Sequence, residues 1–328
     1  MDFFKGVLSR VKAEKRIVLP ESYDERVIEA ALAIQAGGWA VPVVLGKEKE
    51  IGQKLKGKVE IIDIETDDRK EDFIKEYVAL RKHKGISEKI AEKFMKKPLF
   101  FGAMLLRKGF VDGMVAGSTA TSADVIRSAI HVIGLREGIN VASSSFAMIV
   151  PGCTYANNGK LIYADCGLVP DPSAEQLADI AIASSEMCRM LYDDEPVVAM
   201  LSFSTKGSAK HKILEKIIAA TEIAKKKVPG LKIDGELQGD SALVPSIGRK
   251  KAPESNVAGK ANVLIFPDLN SGNIAYKLTE RLAKAQAYGP LIQGLARPVN
   301  DLSRGCSVQD IVTVAAITAL EGEYFKKK

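Results

Sequence analysis

The chain is predicted to be α/β, with largely parallel sheets and helices on both faces. Short β-branched runs alternate with amphipathic helical stretches along most of its 328 residues. Several of those runs end in Gly- and hydroxyl-rich turns that open directly into helices, as strand–helix crossovers do. The length leaves room for two domains of ordinary size.

Each element has a local reason. Arg16-Ile-Val-Leu19 is a strand, followed by a helix over 24–36 that Gly37-Gly38 closes. Val41–Leu45 and Val59–Ile62 are the next strands, and helices follow over 70–82, 87–95 and 98–108. Asp112–Ala116 is a strand and 123–132 a helix. Residues 142–150 break the rhythm, and Leu161–Ala164 pairs with them. A long helix spans 173–191, with Ser173 as its cap. Strand 196–201, helix 209–227, strand 233–237, strand 261–266, helix 274–284 and strand 288–292 continue the pattern, and a last helix runs from Val308 to about Glu321. The first domain is expected over 1–145 plus about 295–328, because the last helix returns to it, and the second over about 146–294.

Composition narrows the function. With 46% hydrophobic and 27% charged residues the chain is neither disordered nor fibrous. No apolar run reaches the roughly 18–20 residues that a membrane helix needs, and no signal pattern opens the chain, so a cytoplasmic location is expected. Four cysteines without a C-x-x-C pair make no disulfide framework. Three scattered histidines offer neither a metal site nor a Ser-His-Asp engine, so the expected chemistry runs without metal or histidine. The net charge of +6 is concentrated in runs such as Lys225–Lys227, Arg249–Lys251 and Lys326–Lys328, with aromatics at only 6%. That argues against nucleic acid and leaves a small polyanion as a compatible ligand.

Two segments carry the chemistry. Val115-Ala-Gly-Ser-Thr-Ala-Thr121-Ser122-Ala-Asp124 is a strand running through a Gly/hydroxyl turn into a helix. Free N–H groups and the positive helix end would favour phosphate there, with Thr121, Ser122 and Arg127 around it. The alternative is plain capping by Ser122, with Arg127 on the surface. In Asp301-Leu-Ser303-Arg304-Gly-Cys-Ser307-Val-Gln-Asp310 an arginine loop precedes an apolar helix. Ser307 and Asp310 also have capping-box spacing, so Asp310 is either a cap or a functional carboxylate. Cys153, in Pro151-Gly-Cys-Thr-Tyr155, has no base beside it in sequence and reads as an inert thiol.

These segments resemble the phosphate acetyltransferase (phosphotransacetylase) family, within the phosphate acetyl/butyryl transferases. The resemblance extends from Leu19-Pro-Glu21 through Val115–Arg127, Met200–Ala209, Asp234-Gly-Glu-Leu-Gln238 and Ile265–Lys277 to Gly289–Cys306. Its most specific stretch is Asn300-Asp-Leu-Ser-Arg-Gly-Cys306. The resemblance implies reversible acetyl exchange between acetyl-CoA and inorganic phosphate, with CoA species as substrates and no cofactor. It also implies a homodimer, and two α/β domains around a cleft holding the site, as in isocitrate and isopropylmalate dehydrogenases.

By the same resemblance Asp310 is the base on the CoA thiol, and Ser303 and Arg304 flank the reacting carbonyl and phosphate. Arg81 and Arg127 hold phosphate and CoA, Arg26 and Arg281 bind CoA, and Cys153 lies near the site without being a nucleophile. A longer-chain phosphotransacylase such as the butyryl enzyme, or a silent acetyl-CoA-sensing domain, are the alternatives. Moving a proton from a thiol of pKa ~8.5 to an aspartate of ~3.9 is uphill by roughly 6 kcal/mol. Burial of Asp310, arginines near the thiol, or transfer concerted with attack would have to offset that.

Overall fold

A computed structural model describes residues 3–12 and 14–325. The basic run Lys326–Lys328 lies outside them. In chain order the described strands are β1 (Lys15–Leu19), β2 (Ala40–Leu45), β3 (Glu60–Ile62), β4 (Gly113–Ala116), β5 (Ser143–Ile149), β6 (Lys160–Ala164), β7 (Val197–Leu201), β8 (Lys232–Leu237), β9 (Val263–Ile265), β10 (Gln286–Gln293) and β11 (Val299–Asp301). They form two sheets in two compact units: Met1–Glu137 with Leu295–Lys328, and Gly138–Gly294.

The first unit holds a five-stranded parallel sheet in the order β11-β4-β1-β2-β3. Its inner strands are nearly continuous apolar runs, as a sheet covered on both faces requires. Helix Glu25–Gly37 starts at Asp24, whose side chain accepts the Arg26 N–H, and stops where Gly38 turns left-handed (φ 64°). It buries Val27, Ile28, Ala31 and Ile34. The final helix, Val308–Tyr324, packs Ile311, Val314 and Ala315 into the same core as Ile17, Leu19 and Val115. The placement of β11, β4 and β1 side by side matters most for function. All three are parallel, so the segments leaving them emerge together at the carboxyl edge, where open α/β sheets bind ligands.

The second unit holds a six-stranded sheet in the order β10-β5-β6-β9-β7-β8. β5 is antiparallel to both neighbours, and the other pairings are parallel. Because β5 belongs wholly to this sheet, the chain passes between units at 137/138 rather than near 145. Helix Ala174–Tyr192 begins with a capping box formed by Ser173 and Gln176.

Some boundaries differ from the sequence expectation. The helix expected from Ala209 starts at Ile213, because the Ser204 and Ser208 hydroxyls accept the N–H groups of Ala209 and Thr205 and hold a turn. The helix expected from Ile274 starts at Leu269, since Asp268 caps it through the Ser271 N–H. No helix among the described residues is long and apolar enough to cross a membrane.

A fully buried carboxyl on the final helix makes one stability prediction. Glu321 accepts a 2.7 Å hydrogen bond from Asn300 Nδ2, and burial, only partly opposed by that bond, raises its pKa to about 8. The folded chain therefore keeps a proton that the unfolded chain loses above its ordinary carboxylate range. The neutral carboxyl's contribution is intact below that range and is lost as pH rises toward the folded value, by up to roughly 1.4 kcal/mol per unit. Glu321→Gln is expected to match wild type in thermal melting near pH 5 and to melt higher at pH 8. A constant difference across that range would contradict the assignment.

Candidate active site

Glu21 leaves β1, the loop 117–121 leaves β4, and the loop 302–307 leaves β11. The Glu21 carboxylate is 1% exposed, and it reaches into the β4 loop. It accepts the N–H groups of Gly117 (2.5 Å), Ser118 (2.9 Å), Thr119 (3.1 Å) and Ala120 (2.7 Å), and the Thr119 hydroxyl (2.8 Å). Burial alone would raise its pKa. The Ala120 N–H, the Thr119 hydroxyl and the other loop amides outweigh burial and hold the carboxyl below its ordinary value. The expected phosphate cradle is therefore already filled by the chain's own anion. Gly117 is required here: it sits at φ 109°, and a Cβ on it would strike the Asp301 carboxylate and the Leu302 backbone.

One of the hydroxyls expected to hold substrate is also engaged. Thr121, not Ser122, caps helix Ser122–Val132; its oxygen accepts the Asp124 N–H and donates to Asp124 Oδ2 (2.8 Å). Ser122, the first helical residue, turns toward Asp301. Asp301 is 1% exposed, and neither of its oxygens has a partner in full hydrogen-bond geometry. Burial pushes its pKa up to about 6, with Ser122 and the Leu302 N–H opposing and Glu21 adding to the rise.

Arg26 is turned onto its own chain. Its Nε and one terminal nitrogen grip Asp24 at 3.1 and 2.7 Å, and that same nitrogen donates to the Ser118 carbonyl at 2.9 Å. The other nitrogen donates to the carbonyls of Arg304 (3.0 Å) and Cys306 (2.7 Å). A guanidinium has five N–H donors, and all five are used within the chain. Arg26 thus ties the β4 loop to the β11 loop.

The β11 loop carries the reactive candidates. Ser303 and Arg304 are exposed, and the Ser303 hydroxyl accepts the Gly305 N–H at 3.3 Å. Among the described residues the Arg304 guanidinium has no hydrogen-bond or ion-pair partner, which leaves its donors for a ligand. Asp310 does form the capping box. Its Oδ2 accepts the Ser307 N–H and hydroxyl, both at 2.8 Å, while its own N–H donates to the Ser307 oxygen. Oδ1 has no such partner. Asp310 is exposed, so the burial proposed for it above is not supplied by this unit's fold.

Arg127 pairs with Asp124 at 2.8 Å and remains about half exposed. Arg81 ends helix Lys70–Arg81 with a buried Nε that has no partner. Both arginines flank His131, whose pKa is lowered first by burial and then by these two charges. Between β1 and the β4 helix, a cavity of about 270 Å³ is lined by Glu21, Tyr23, Lys97, Phe100, Asp124 and Arg127, among others. Arg281 and Cys153 stand in the second unit. Arg281 is largely exposed, with only Glu280 near it at 3.9 Å. Cys153 lies in the turn after β5, partly exposed, its sulfur 3.8 Å from the Tyr155 carbonyl. Among the described residues, no group of His, Cys, Asp or Glu could hold a metal ion.

The family model described as phosphate acetyl/butaryl transferase matches residues 2–319. The chain belongs to that family. It is 52% identical over 332 residues to the phosphate acetyltransferase of Acetivibrio thermocellus, covering 99% of this chain and all of the relative. It superposes on a phosphotransacetylase from Streptococcus pyogenes with a TM-score of 0.93, 39% identity and 98% coverage of both chains. A protein described as a putative 4-hydroxythreonine-4-phosphate dehydrogenase from Salmonella typhimurium shares the fold at a TM-score of 0.52 and 12% identity, in keeping with the dehydrogenase-like architecture expected for this family.

Glu21 and Asp301 are the residues that sequence reasoning missed. The available signal was an acid at or just past the end of a parallel strand, the position from which a side chain can reach a neighbouring strand's loop.

Proposed function

We propose that the chain moves acetyl between acetyl phosphate and CoA by direct attack of the CoA thiolate, within a ternary complex. It is a phosphate acetyltransferase, an acyltransferase acting on CoA substrates. The observation that carries the mechanism is an Arg304 guanidinium without a partner among the described residues, on the loop leading into the helix whose first turn carries Asp310, a carboxylate with one oxygen free. In this reading Asp310 Oδ1 takes the thiol proton as sulfur attacks the carbonyl carbon. Concerted transfer avoids the roughly 6 kcal/mol of full ionisation. The carbonyl π pair moves to oxygen, where Arg304 and the Ser303 hydroxyl stabilise the developing charge. Collapse expels phosphate and leaves the thioester.

Arg81 and Arg127 receive the phosphates, as bidentate donors suited to oxyanions. Arg281, open to solvent, is a further CoA-binding arginine. A homodimer, a cytoplasmic location and the lack of a prosthetic group belong to the same proposal. The direct test is purified chain with acetyl phosphate and CoA, followed by thioester absorbance. Rapid formation that requires both substrates supports the reading, and the absence of acetyl transfer would overturn it.

Because no acetyl-enzyme is invoked, Cys153→Ala is expected to keep most of its turnover. Incubation of wild type with acetyl phosphate alone should leave the intact mass unchanged. A stoichiometric acetyl adduct on Cys153 that then reacts with CoA at the turnover rate would refute direct transfer.

A further inference from the structure

The β4 loop has the form of an anion nest, with four successive backbone N–H groups converging on one point. A carboxylate already occupies that point. We propose that Glu21 is a positioning residue for the acetyl-transfer site: an internal anion that fixes the β4 loop and, through Arg26, the Ser303–Cys306 loop.

The connection can be followed bond by bond. Glu21 fixes the Gly117–Ala120 amides, and this sets the direction of the Ser118 carbonyl. That carbonyl accepts from Arg26 at 2.9 Å, and the same guanidinium holds the carbonyls of Arg304 and Cys306. Arg304 thus has its backbone anchored while its side chain stays free. The next residues, Ser307 and Asp310, are set by the helix they cap.

Filling the nest from within has a second consequence. Substrate phosphate finds the Gly117–Ala120 N–H groups already taken. The second unit repeats the device. Asp165 accepts the Gly167, Leu168 and Val169 N–H groups, and Glu236 accepts the Gly207 N–H and the Ser204 hydroxyl. In both units, loops rich in small residues are held by buried acids.

This assignment rests on the reading that the β11 loop is the reacting site, and the experiment separates the two. Glu21→Ala, Glu21→Gln and Arg304→Ala are prepared in the full chain. Each is measured for thermal melting, and for kcat and KM with and without sodium formate, with wild type as control. Formate can occupy the space vacated in Glu21→Ala and accept the same N–H groups. Glu21→Gln keeps the volume, but its amide must turn a donor toward donors.

The expected result is a folded Glu21→Ala with kcat lower by on the order of 10²-fold, as for a displaced reacting group. Formate should restore a substantial part in a saturable way, without stimulating wild type. Glu21→Gln should lose kcat to a similar extent, with no rescue. Should Glu21→Ala not fold, the Gln variant decides: lost kcat at unchanged melting temperature supports the assignment. A folded variant with near-wild-type kcat, or a Glu21→Ala defect that formate does not relieve, overturns it. Near-normal turnover in Arg304→Ala would instead overturn the site reading itself, whatever Glu21 does.

Discussion

Asp310→Asn is expected to lower kcat by about 10²–10⁴-fold while costing roughly a kcal/mol of stability or less. The two effects separate because the carboxylate has two oxygens with different work. Oδ2 closes the capping box with the Ser307 N–H and hydroxyl. An asparagine carbonyl can keep accepting those bonds, so the helix start survives. In the proposed mechanism Oδ1 is the proton acceptor, and an amide in its place has no basicity near neutral pH. The Michaelis constants should move much less, since the proposal assigns the phosphates to Arg81, Arg127 and Arg304 rather than to an acid. Melting temperature and steady-state kinetics on the same preparation check this. A folded Asp310→Asn enzyme with near-normal kcat, where chemistry limits turnover, would leave Asp310 as a helix cap only.

Arg304→Ala is expected to behave differently, lowering kcat by about 10²–10³-fold and also weakening substrate binding. Its guanidinium has no partner among the described residues, so removal leaves no orphaned buried group and little stability should be lost. The same donors serve bound phosphate and the developing oxyanion, so ground and transition states both suffer. Arg304→Lys keeps the charge but loses the planar fork, and should recover only part of the activity. The check is a full set of kcat and KM values for both substrates. A change confined to KM would assign Arg304 to binding alone.

The fold was largely legible because its strands are apolar, short and punctuated by Gly, Pro or Ser, and its long helices carry caps. Ser173 with Gln176 and Asp24 before Glu25–Gly37 are local signals, and both act as the spacing implies. What escaped was short or non-local. β11 has three residues and no readable period, yet it places the Ser303–Asp310 segment beside β4.

The site divides in the same way. The Gly/hydroxyl turn at 117–122 was visible, but the acid that fills it lies 96 to 99 positions away. Arg26 was named for CoA binding through the family resemblance, and its partners within the chain are not legible in the sequence. Two of those partners, the carbonyls of Arg304 and Cys306, lie 278 and 280 positions away. Free donors and occupied donors look alike until the chain is folded.

The claim on which the account turns is that acetyl passes directly from phosphate to CoA while both are bound. Initial rates across a grid of CoA and acetyl phosphate concentrations test it. Direct transfer predicts double-reciprocal lines that converge, with each substrate changing the slope for the other. A set of parallel lines, the signature of an acetylated enzyme that releases phosphate before CoA arrives, would contradict it.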